Sequence, residues 1–65
     1  MKLREYYNTL PKRELLVGCK VQTVDGQILY VLNVDDGLWC GPDRDREDGW
    51  NFSIDDLELL EIAEG

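Results

Sequence analysis

The sequence predicts a small, mainly β domain: five short strands, a short N-terminal helix and one helical turn before the last strand. Three observations carry that prediction. From Leu15 onward, apolar residues recur with a period of two. Asp25-Gly26 and Asp35-Asp36-Gly37 interrupt the apolar runs with turn chemistry. The chain has 65 residues, 43% of them hydrophobic and 32% charged, which supplies one thin core and no second domain.

The elements follow in chain order. Leu3, Tyr6 or Tyr7, and Leu10 recur at spacings of three and four, so residues 2–10 are predicted as a short amphipathic helix. Pro11 ends it, because the residue before a proline is biased out of the helical region. So short a helix is marginal alone and must dock on the domain or on a partner. Val17, Cys19 and Val21 alternate with Gly18, Lys20 and Gln22, giving a first, half-buried strand. The Asp25-Gly26 turn leads into a second strand over 27–34. QILYVLNV is apolar on both faces, as in a long strand covered on both sides where a small sheet bends around a core. Leu38-Trp39-Cys40 forms a third strand, broken by Gly41-Pro42. DRDRED then reads as a solvated loop, and Trp50-Asn51-Phe52 as a fourth strand. Ser53 can cap a helical turn over 53–57, with Asp55 and Asp56 at its positive end. Residues 58–62 are predicted as the last strand and 63–65 as a tail.

The stretch VGCKVQTVDGQILYVLNVDDG resembles the opening hairpin of small bacterial or phage SH3-like barrel domains, and WNFSIDDLELLE resembles their closing segment. The resemblance covers about residues 15–62 and implies a five-stranded SH3-like barrel, with strand order like that of KOW and Tudor domains. Residues 1–11 add a helix and connector to it, within one domain spanning 1–65. The chain lacks the ALYDY-type motif, the Trp pair and the proline of signalling SH3 domains, so proline-rich peptide binding does not carry over. KOW-type domains usually present basic loops to RNA; the loops here are acidic.

Charge and cysteine usage narrow the function classes. The net charge is −7. Residues 1–24 hold five bases and two acids, whereas residues 25–65 hold two bases and twelve acids. Such a body repels a phosphate backbone and attracts a basic protein surface. There is no histidine, and the two cysteines, Cys19 and Cys40, are too few for a zinc site. Ser-His and Cys-His nucleophiles are excluded as well. Both thiols read as small buried apolar residues, kept reduced. No apolar run approaches a membrane span and the N-terminus has no signal-peptide core, so a cytoplasmic location is expected.

No catalytic constellation, metal site or cofactor is expected. Asp35-Asp36 and Asp55-Asp56 are explained by turn and cap chemistry, and Asn51-Phe52-Ser53 is a chance sequon. Asp43, Asp45, Glu47 and Asp48 have the look of a calcium loop, but the twelfth position from Asp43 is Ile54, which cannot ligate. Phe52 and at least one tryptophan are expected in the core. A partly exposed Trp39 or Trp50 beside those acids would form a contact surface of the hot-spot kind, in its sharpest form a cage for a methylated cation. The expected function is therefore a non-catalytic protein-binding module, a regulator or adaptor that contacts a basic partner through Trp39, Asp43, Asp45, Glu47, Asp48 and Trp50, or through an open edge strand. Two alternatives stand beside it: a nucleic-acid mimic that blocks a DNA- or RNA-binding protein, and a nucleic-acid-binding accessory domain. A homodimer through an edge strand or the N-terminal helix is also compatible with the sequence.

Overall fold

The computed structural model describes residues 1–63. Helix α1 spans Leu3–Tyr7 and a 3-10 turn follows at Arg13–Leu16. Strands β1 (Lys20–Thr23), β2 (Ile28–Val34), β3 (Leu38–Gly41), β4 (Trp50–Phe52) and β5 (Leu57–Glu61) form one antiparallel sheet. A second 3-10 turn, Ile54–Asp56, precedes β5. The sheet order is β4-β3-β2-β1-β5.

The sheet is open. The expected barrel would need β4 and β5 to meet, and they do not pair. Two features keep them apart. β4 is only three residues long and runs at once into the capped turn, where the Ser53 Oγ accepts from the Asp55 N–H. The free edge of β5 is already occupied by the start of the chain: Leu59 N–H donates to the Met1 carbonyl at 2.8 Å, and Lys2 bridges Glu58. Two register irregularities, at Lys20/Val21 against β5 and at Val31/Asn33 against β3, supply local bending.

The β1–β2 hairpin follows the turn signal. Gly26 N–H donates to the Thr23 carbonyl at 3.0 Å, and Gly26 sits at φ +91°, a left-handed position that glycine takes without strain. The Thr23 hydroxyl donates to Asp25 and accepts from Gln27 N–H, so the loop is tied from within. That hydroxyl holds the Asp25 carboxyl below its ordinary range.

The last strand and the turn before it shift from the sequence reading by one residue at each end, and two elements differ by more. The first strand begins at Lys20 rather than at Val17, because Arg13-Glu14-Leu15-Leu16 are helix-forming residues and coil into the 3-10 turn, which Val17 caps. That turn buries Leu16 and leaves Val17 exposed, while Cys19 and Val21 keep the inward alternation. Helix α1 is also shorter than predicted. Thr9 and Leu10 N–H donate to Tyr6 and Tyr7 carbonyls, a tightened end that closes the helix before Pro11. The expected apolar face survives: Leu3 is fully buried, and Tyr6, Tyr7 and Leu10 pack on the core. Of the predicted tail, Glu64 and Gly65 lie outside the described residues.

The core consists of Leu3, Leu16, Cys19, Val21, Leu29, Val31, Leu38, Cys40 and Leu57. Every strand but β4 contributes, and α1 and the first 3-10 turn close the inner face. Each buried aliphatic contributes about 1.5–3 kcal/mol. Burial also drives both thiols toward the protonated form, and pushes the Cys40 pKa up to about 12. Among the described residues, no helix is long and apolar enough to cross a membrane.

Candidate functional site

Strand pairing decides which side chains share a face. Asn33, Trp39 and Asn51 are mutual partners across β2, β3 and β4, and so are Lys20, Tyr30 and Gly41 across β1, β2 and β3. These two rows form the outer face. Cys40 pairs with Trp50 and Leu38 with Phe52, so both β4 aromatics lie on the core face. Trp39 and Trp50 therefore project from opposite faces, and the two tryptophans expected at one surface are not brought together. Neither fills the core: Trp39 is 40% exposed and Trp50 54%. Trp50 has the inward parity but sits on an edge strand with no neighbour beyond it. Of the three aromatics in β3 and β4, only Phe52 packs partly against the core.

The loop 42–49 folds back over the outer face and does not stand free in solvent. Trp39 Nε1–H donates to the Glu47 carbonyl at 2.8 Å. The Arg44 guanidinium lies over the Tyr30 ring, 5.9 Å from its centroid. Gly41 and Gly49 allow this close return. A Cβ at Gly41 would run into the Asp48 carbonyl and the Leu32 Cδ1, and one at Gly49 into the Cys40 carbonyl. Within the loop, Asp43 Oδ1 accepts from Asp45 N–H at 2.9 Å, a self-closed turn. Arg46 pairs with Asp48 at 3.4 Å, both widely exposed.

The result is a groove of about 690 Å³ floored by Leu32, Asn33 and Trp39 and rimmed by Arg44, Asp45, Arg46 and Glu47. Asp43, Asp45, Glu47 and Asp48 are all exposed, and the first three have no ion pair among the described residues. Nor do three or more acid or thiol groups gather there into a metal-holding cluster, among the described residues. The rim carries two arginines and two acids, so any preference of this groove for a cationic side chain rests on the exposed, oriented indole. The groove offers no nucleophile, no paired acid and base, and no enclosed volume.

Sequence reasoning missed Leu32, Asn33, Tyr30 and Arg44 as parts of this surface. The signal available was the doubly apolar character of β2, whose Ile28, Tyr30 and Leu32 remain at least partly exposed while Leu29 and Val31 go to the core. A second groove, about 560 Å³, lies between α1, the first 3-10 turn and the β2–β3 turn. Its lining joins Tyr7, Leu16 and Phe52 with Arg13, Asp35 and Asp36, and the mixed charge on its rim selects no one ligand class. No protein-family model, curated protein or solved structure significantly matches the chain.

Proposed function

We propose that this chain is a non-catalytic protein-binding module on an SH3-like plan, a regulator or adaptor whose acidic outer face receives a basic region of a partner protein. The five-strand antiparallel order and the Ser53-capped turn before β5 support the SH3-like plan. One observation carries the binding reading: Trp39 is 40% exposed and is pinned through its indole N–H to the acidic loop. A pre-oriented aromatic loses little conformational freedom on binding, which is the property of interface anchors. Asp45 and Glu47 beside it, and Asp43 in the same loop, have no ion pair among the described residues and give a basic partner its orientation and speed its encounter. Trp50 contributes from the edge of the sheet rather than from the same face.

The test is affinity capture from native lysate with three baits: the unaltered chain, Trp39→Ala, and Asp43→Lys with Asp45→Lys and Glu47→Lys. A basic protein retained by the unaltered chain and lost from both variants supports the reading. Retention of the same proteins by all three baits, or of nucleic acid alone, overturns it.

A further inference from the structure

The two edges of the sheet are not alike. The edge of β5 is covered by the chain itself, through the Leu59–Met1 hydrogen bond and the Lys2–Glu58 bridge. Among the described residues the edge of β4 has no such cover, since β3 is its one partner in the sheet. Trp50-Asn51-Phe52 is protected by its shortness alone: no proline, no charged side chain and no bulge interrupts it. The chain stays extended through Ser53, at φ −78° and ψ 139°.

Alternation along the ladder shows which backbone groups are free. The Asp35 N–H donates to the Gly37 carbonyl at 3.0 Å, which makes Val34 and Leu38 a non-hydrogen-bonded pair. Leu38 and Cys40 then turn their polar groups toward Phe52 and Trp50. Asn51 is left with its N–H and C=O aimed away from the sheet. The side chains flanking it on the core face, Trp50 at 54% exposure and the half-buried Phe52, are incompletely covered because no further strand lies beside them.

We infer that β4 is the site at which an extended segment of a partner protein adds as a sixth strand, and that this segment alternates apolar with basic residues. The backbone of Asn51 supplies the hydrogen bonds. Alternate apolar side chains of the incoming strand lie over Trp50 and Phe52. The intervening side chains point to the outer side, and the net charge of −7 on the domain favours basic residues among them. A second copy of the chain is disfavoured as occupant, because each copy brings a net charge of −7. The inference rests on the basic-partner reading and adds the mode of binding to it.

The test uses the full chain, isotopically labelled, with two synthetic probes, Ac-Lys-Val-Lys-Val-Lys-NH2 and Ac-Glu-Val-Glu-Val-Glu-NH2. With the lysine probe near saturation, exchange of the Asn51 amide slows about tenfold and the Trp50 and Phe52 signals shift. Asn51→Pro removes the outward N–H without touching the ladder to β3, and abolishes these effects. Asn51→Lys keeps the N–H but places an ammonium opposite the probe's lysines, weakens binding, and carries the test should the proline variant fail to fold. Undiminished binding by a folded Asn51→Pro or by Asn51→Lys, or shifts confined to Trp39 and the loop, would overturn edge addition while leaving the basic-partner reading intact. Equal binding of the glutamate probe would overturn both. Protection of Asn51 that grows with protein concentration and needs no probe would overturn the inference in favour of self-pairing.

Discussion

Arg4 and Asp55, 51 positions apart in the chain, meet side-on: Arg4 Nε lies 2.5 Å from Asp55 Oδ1 and Nη2 3.2 Å from Oδ2. The pair fastens α1 to the turn that precedes β5. The Arg4 guanidinium holds the Asp55 carboxyl below its ordinary range, and Asp55 holds the guanidinium above its own. Both groups are solvent-exposed, so the pair acts as a modest fastener rather than as a main source of stability.

A pH dependence follows with a definite sign. A depressed carboxyl pKa contributes stability that is present above the unfolded value of about 3.9 and lost as pH falls below it. Thermal unfolding of Asp55→Asn should lie below the unaltered chain at pH 6, and the gap should close as pH falls through the acidic limb. A gap that stays constant from pH 6 down to pH 2 would remove the ion pair as its cause.

The two thiols give a second test. Cys19 and Cys40 are free, and both are fully buried. A thiol reagent should label the native chain only as fast as it unfolds globally. The folded chain keeps the Cys40 proton up to about 12, whereas an unfolded thiol releases it near ~8.5. Raising the pH across that interval therefore favours the unfolded state, with a steeper loss for the unaltered chain than for Cys40→Ala. Rapid labelling under native conditions, or identical alkaline limbs, would contradict this.

Leu29 tests how much the thin core can lose. It is fully buried on β2, the central strand, with neighbours on both sides. Leu29→Ala should cost about 2–5 kcal/mol, against the roughly 3–5 kcal/mol that a core of this size supplies. Urea titration should find this variant largely unfolded before denaturant is added. A midpoint close to that of the unaltered chain would show that the core collapses around the deletion.

Trp39→Phe separates the ring from its hydrogen bond. The variant keeps an aromatic on the outer face but loses the 2.8 Å bond to the Glu47 carbonyl. Amide exchange over residues 43–48 should quicken while global stability falls by no more than about 1 kcal/mol. Unchanged exchange in the loop would mean that the Gly41–Gly49 approach and the Arg44–Tyr30 contact hold it without the indole.

Much of the fold was legible because its determinants are local. Alternation and the turn signals between apolar runs locate all five strands to within a few residues, Asp25-Gly26 sets the first hairpin, and Ser53 caps its turn as its chemistry requires. What the sequence concealed is long-range. Whether the sheet closes depends on Met1 and Lys2 reaching Glu58 and Leu59, a pairing that no local pattern announces. The exposure of Trp50 depends on its strand being an edge, although its parity is that of buried Cys40. The loop 42–49 reads as solvated from its charges. Its return over Tyr30 and Trp39 depends on two glycines eight residues apart that make room for each other's backbone.

The seat of α1 is built from the turn before β5 and from β5 itself, so the first helix leaves the ribosome long before its landing site has been synthesised. A single turn and a half of helix cannot persist unaided in water. The N-terminal segment must remain unstructured until residues 54–59 emerge, and Leu3 enters the core only then. The last part of the core to close therefore depends on a contact between segments more than fifty residues apart.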